Sequence, residues 1–182
     1  DLREMILRAG NERCTNYFRT VPVPDKILRV PVLVASPRAG ALAKANSASE
    51  LGRVLSDNIQ SLCVSGPAGS GKSLLIHGIY KRLIKRASDS QDHVPFLLFA
   101  AELLPYIPDL QGALVKVISR RLLVPQRSVQ QHLPIMVILI DGFDEVSESA
   151  QARLETALKR HFLQFPGQPV IGLITNEGVA VL

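Results

Sequence analysis

The chain has 182 residues, 47% of them hydrophobic and 20% charged, with 5% aromatic residues and no tryptophan. That length suits one domain, or one domain with a short extension, and the composition excludes a long disordered tail, which needs low hydrophobicity and high net charge. Twenty-one Lys and Arg residues oppose sixteen Asp and Glu, giving +5; the excess fits a protein that handles phosphates and fits an ordinary solvated surface equally well.

Two cysteines, Cys14 and Cys63, exclude a disulfide-dense scaffold and any multi-cysteine zinc site. Two thiols in a domain of this size fit a reducing compartment, so a cytoplasmic location is expected. The longest apolar run, residues 135–140, is far shorter than the roughly 20 residues a membrane-spanning helix needs. The start, Asp1-Leu2-Arg3-Glu4, carries two acids and no apolar core, so it does not read as a signal peptide. It has no initiator Met, and a cut from a longer chain is expected.

Residues 1–45 read as an irregular extension or linker. A short helix is expected over residues 2–8, after which Pro22, Pro24, Pro31 and Pro37 break the chain. Residues 27–35 are rich in aliphatic and β-branched side chains and read as an edge strand, where Pro31 is tolerable. Residues 46–182 form a regular unit. Ser47-Ala48-Ser49-Glu50 is a capping box, followed by an apolar helix face of Leu51, Val54, Leu55 and Ile59. Leu62-Cys63-Val64 reads as a short buried strand ending at Ser65-Gly66. A helix follows from residue 71 to about 86, with Lys81, Arg82, Lys85 and Arg86 suiting its negative end.

Residues 94–100 read as a second strand and 109–123 as a second helix. Residues 134–140 form a third strand, apolar at every position, as when helices cover both faces of a parallel sheet. Residues 147–165 form a third helix, with Leu154, Leu158 and Phe162 in one row, ended by Pro166-Gly167. Residues 170–174 form a fourth strand. This alternation predicts an α/β fold with right-handed crossovers.

Gly66-Pro67-Ala68-Gly69-Ser70-Gly71-Lys72-Ser73 fits G-x-x-x-x-G-K-[ST] at every position. It lies between a strand and a helix, as a phosphate loop must. Gly66, Gly69 and Gly71 let the backbone wrap an anion, and the helix start adds its positive end. Lys72 would reach the β- and γ-phosphates, and the Ser73 hydroxyl would ligate Mg²⁺.

Met136-Val137-Ile138-Leu139-Ile140-Asp141 is a buried strand ending in an acid, the Walker B pattern. Asp141 would hold Mg²⁺ together with Ser73. Asp144 and Glu145 are candidates to orient or deprotonate a water. They equally suit the acidic start of the next helix. Asn176, after Thr175 at the end of the fourth strand, is placed to touch the γ-phosphate or the attacking water, or to make an ordinary strand-end turn.

The phosphate loop and the Asp141-Gly142-Phe143-Asp144-Glu145 segment together resemble the NACHT family of signal-transduction NTPases. The segment Val94-Pro95-Phe96-Leu97-Leu98-Phe99 with Ala101-Glu102-Leu103 resembles the family's second strand. One departure is Thr175-Asn176-Glu177 where the family usually has Thr-Ser-Arg; Thr-Asn there is more like AAA+ ATPases, including origin-recognition and helicase-loader relatives. Against AAA+, Gly142 stands where those enzymes usually place a catalytic Glu.

The resemblance implies a three-layer α/β/α P-loop NTPase sandwich with a mostly parallel sheet in the order 5-1-4-3-2. Four of those strands are recognisable, so a fold truncated before its last core strand and helical lid is expected. It also implies ATP and Mg²⁺ as ligands and a nucleotide-gated switch with slow hydrolysis inside a larger protein. Protein partners or self-association would follow. The alternatives are an AAA+ motor or loader, nuclear and nucleic-acid-binding in that case, and a non-hydrolysing nucleotide-binding scaffold. Arg153 and Arg160 are the basic residues an oligomeric motor could donate, or plain surface charges.

Overall fold

The computed structural model describes residues 1–21, 32–35, 42–45, 62–65, 71–90, 93–165 and 170–173. Four expectations lie outside those residues: the capping-box helix after Ser47, the loop residues 66–70, Asn176, and residues 27–31 of the strand expected over 27–35.

The first element corrects the reading of residues 1–45 as irregular. Helix α1 spans Leu2–Thr20, not residues 2–8. Asp1 caps it by accepting from the Arg3 N–H at 3.0 Å. Its buried residues, Leu2, Ile6, Gly10 and Cys14, recur every fourth position and form one face. The prolines begin only at residue 22 and so leave this helix intact.

Strands β1 (Val32–Ala35), β2 (Leu42–Ala45) and β3 (Leu62–Ser65) follow, then helix α2 (Lys72–Asp89) and strand β4 (Val94–Phe99). A short helix α3 (Ala100–Leu103), α4 (Leu110–Leu122) and α5 (Gln126–His132) lead to β5 (Met136–Asp141). Helix α6 (Glu148–Gln164) and strand β6 (Val170–Leu173) complete the described elements. The pattern read from the sequence missed α3 and α5. It began β5 two residues early, because Pro134 lies in a 3-10 turn, Leu133–Ile135.

The six strands form one sheet in the order β2-β1-β3-β6-β5-β4. From β3 to β4 this reproduces the expected 1-4-3-2 arrangement, with β3–β6, β6–β5 and β5–β4 all parallel. The position beside β3 is occupied by β1, which pairs antiparallel with it. The stretch read as an edge strand is therefore interior, flanked by β2 on its other side.

The chain leaves β3 for the far edge strand β4 and then returns through β5 to β6. Right-handed crossovers therefore place α2 on one face of the sheet and α4 and α6 on the other. Strand β5 is buried at all six positions, as a strand covered on both faces must be. Phe143, Ile76, Ile79, Leu97, Leu98, Leu114 and Ile118 are among its fully buried neighbours in the core.

Helix α1 lies against α2 and runs antiparallel to it. The Arg3 guanidinium donates to the Ala87 and Ser90 carbonyls at the end of α2. At the other end Tyr17 meets His77, near the start of α2. The close approach needs Gly10, since a Cβ there would fall 2.3 Å from Ile84 Cδ1 and 2.8 Å from the Tyr80 hydroxyl.

The outer edge of β4 is covered by side chains. The Leu97 carbonyl accepts from Arg13 at 2.8 Å and from Arg121 at 2.7 Å. The Phe99 N–H donates to Glu102 at 2.7 Å, and Glu102 also pairs with Arg121. Pro95 has no N–H to offer. These contacts close an edge that would otherwise invite pairing with another chain.

Candidate functional site

The site assembles where β3, β5 and α2 meet at the C-terminal edge of the parallel strands, the place where open α/β sheets take ligands. Gly71 precedes α2 with φ +86°, a left-handed conformation that glycine adopts without strain. A Cβ there would meet nothing within 4 Å, so the backbone angle is what selects glycine. Lys72 and Ser73 then open the helix, and α2 carries both toward the end of β5.

Asp141 ends β5 and is 3% exposed. Its Oδ1 accepts from the Ser73 hydroxyl at 3.0 Å and from the Gly142 N–H at 2.8 Å. Gly142 has φ +70°, which reverses the chain into a 3-10 turn, Phe143–Glu145. Phe143 is fully buried and anchors that turn in the core. The turn lifts Asp144 toward Lys72, whose Nζ lies 3.2 Å from Asp144 Oδ2. Lys72 is 7% exposed, and an ammonium so far from water needs a compensating anion.

The sequence-expected residues thus separate into three groups. Lys72, Ser73, Asp141 and Asp144 are brought together. Glu145 sits beside them but is exposed. Gly66, Pro67, Ala68, Gly69, Ser70 and Asn176 lie outside the described residues. Arg153 donates to the Ile107 carbonyl at 3.4 Å. Arg160 lines a cavity of about 220 Å³ with Pro108, Asp109 and His161.

Two residues not singled out from the sequence belong to this neighbourhood. His77, one helical turn after Ser73, is 3% exposed, with Nε2 3.7 Å from Asp141 Oδ2. Burial pushes its pKa down to about 4 against the opposing pull of Asp141, so the imidazole is neutral at pH 7. Tyr17 of α1 stacks on that ring with centroids 3.6 Å apart and planes 4° from parallel. Burial and the nearby Asp141 raise the Tyr17 pKa. The i, i+4 step from Ser73 to His77 was the readable signal; Tyr17 lay in a stretch that carried no motif.

A NACHT domain family model matches residues 60–172, more than half of the chain. The chain belongs to the NACHT family. Its domain is therefore of the P-loop NTPase type, a nucleotide-binding class, and the observed parallel strand order agrees with that fold. Comparisons with curated proteins and with solved structures gave no match. No helix among the described residues is long and apolar enough to cross a membrane.

The donor set fits Mg²⁺ in such a domain. A serine hydroxyl and a carboxylate, both hard oxygen ligands, converge to 3.0 Å. Among the described residues no three His, Cys, Asp or Glu side chains group into a metal cage. Mg²⁺ in nucleotide sites is held by one or two side chains plus substrate phosphates.

Proposed function

We propose that this NACHT domain binds Mg²⁺–ATP through residues 66–73 and Asp141, hydrolyses it slowly, and acts as a nucleotide-gated switch module within a larger protein. The supporting observation is the convergence of Lys72 and Ser73, from the start of α2, on Asp141 and Asp144, from the end of β5.

Each side chain has a task in this reading. Lys72 places a positive charge at the β- and γ-phosphates. Ser73 and Asp141 hold Mg²⁺, which when bound would neutralise phosphate charge. Asp144 is the proposed water-orienting carboxylate, and it occupies Lys72 until a phosphate displaces it. Glu145 and Asn176 are the further candidates for contact with water or the γ-phosphate. The nucleotide-binding part comprises residues 46–182, and residues 1–45 add α1 and the strands β1 and β2 that extend its sheet beside β3.

Equilibrium binding of a fluorescent ATP analogue tests this. Lys72→Ala removes a charge-assisted contact, so affinity should fall about tenfold or more. A folded Lys72→Ala protein that binds as tightly as wild type would refute the assignment. Single-turnover hydrolysis then separates the rivals: slow turnover supports the switch, concentration-dependent fast turnover an AAA+-like motor, and none a scaffold.

A further inference from the structure

We infer that α1 is a working part of the site: Tyr17 is a positioning residue that, through the His77 ring, fixes the Asp141 carboxylate for Mg²⁺. This rests on the reading of Asp141 as a Mg²⁺ ligand.

The geometry carries the argument. His77 is nearly sealed from solvent, yet among the described residues no hydrogen bond sets its orientation. Its Nδ1 has no hydrogen-bond partner among the described residues, and its Nε2 lies 3.7 Å from Asp141 Oδ2, beyond hydrogen-bond reach. The plane of the imidazole is therefore set by packing, and the parallel Tyr17 ring at 3.6 Å lies flat on it. The imidazole in turn backs Oδ2 of Asp141, while Oδ1 is turned to Ser73. A His77 free to rotate would leave one oxygen of Asp141 without that support.

The same face of α1 makes a second contact with the strand ends. Arg13, one turn before Tyr17, donates to the Leu97 carbonyl, and its guanidinium lies 4.8 Å from the Phe99 ring centroid. Phe99 is the register partner of Asp141 across β4 and β5. From a single helical face, Tyr17 thus reaches the ring beside Asp141 and Arg13 reaches β4, the strand next to the one Asp141 ends. Coupling of this kind is reciprocal: if docked α1 favours Mg²⁺ at Asp141, bound Mg²⁺–nucleotide favours docked α1. The docking of the N-terminal helix would then report the state of the site.

The test uses the full chain with Tyr17→Leu and Tyr17→Phe, titrating a fluorescent ATP analogue with Mg²⁺ and with EDTA. Tyr17→Phe keeps the stacked ring and should match wild type. Tyr17→Leu should weaken Mg²⁺-dependent binding about two- to tenfold, the size of one aromatic stack, and leave binding in EDTA unchanged. Equal weakening in both buffers would indicate a purely structural role and overturn the inference, as would an unchanged Mg²⁺ dependence. If Tyr17→Leu fails to fold, hydrogen exchange on wild type decides. Amides of residues 2–20 should exchange more slowly with Mg²⁺–ATP than with ATP in EDTA, and equal rates would overturn the inference. A wild-type protein that binds no ATP in either buffer refutes the nucleotide reading itself, an outcome distinct from all of these.

Discussion

Neutralising Asp144 should have two opposite effects, and their combination is diagnostic. Lys72 and Asp144 side chains are 6% and 22% exposed, with Nζ and Oδ2 3.2 Å apart. Neither is well solvated, so the pair is worth more than an exposed ion pair. Asp144→Asn keeps an acceptor but removes its charge. A charged hydrogen bond contributes about 1.5–3 kcal/mol and a neutral one about 0.5–1.5, so the free protein should lose about 1–2 kcal/mol. In a domain of this size that lowers Tm by about 2–8 °C. The nucleotide-bound protein should lose little, because there a phosphate takes Lys72. The lost stability of the free state therefore reappears as affinity, up to about thirtyfold tighter for ATP. Turnover should fall, because Asp144 is also the proposed water-orienting group. Thermal denaturation with and without Mg²⁺–ATP, beside single-turnover hydrolysis, measures all three. Unchanged Tm in the free protein together with unchanged or weaker ATP affinity would refute the competition between Asp144 and phosphate for Lys72.

Asp141→Asn should abolish most of the Mg²⁺ dependence of ATP binding while sparing binding in EDTA, as read by the same fluorescence titration; equal loss in both buffers would count against a metal role. Gly142→Ala must hold φ +70° and bring a Cβ to 3.2 Å from the Glu145 carboxylate, so it should destabilise by about 1–3 kcal/mol in urea denaturation. Tyr80 gives a pH test. It is 3% exposed, and burial raises its pKa from 10 to about 12. A raised pKa means the unfolded chain gives up this proton first. The Tyr80 contribution is thus complete below pH 10 and is lost as pH rises from 10 to 12, up to about 2–3 kcal/mol. The urea midpoint should fall more steeply over that window in wild type than in Tyr80→Phe.

The parts of the fold and site legible in the sequence are those where local pattern and chemistry coincide. Strand β5 could be read because every position from Met136 to Ile140 is apolar and the acid follows at once. Helix α6 could be read from Ser147, which caps it by accepting from the Ala150 N–H, and from the Leu154 and Leu158 row. Lys72, Ser73 and Asp141 could be read because phosphate and Mg²⁺ chemistry restricts those positions to few residue types. The Lys72–Asp144 contact could not. It depends on the turn after Gly142, whose angle follows from Phe143 burying itself in the core, a tertiary event that spacing does not encode.

The continuation of helix α1 beyond residue 8 was missed for a related reason. Its inward row is Leu2, Ile6, Gly10 and Cys14, and two of these four are not residues that announce a hydrophobic face. Glycine is the poorest helix former short of proline, costing about 1 kcal/mol relative to Ala. It stands at position 10 because the helix must approach α2 closely enough to exclude even a methyl group from beside Ile84. The feature that weakens α1 as an isolated helix is thus the feature that lets it dock. Docking in turn brings Arg13 to the open edge of β4 and Tyr17 to His77. A helix whose reason for existing is a contact with elements 60 or more residues later carries little of that reason in its own sequence. Tyr17 and Arg13, which reach His77 and the edge of β4, are accordingly residues that no motif could supply.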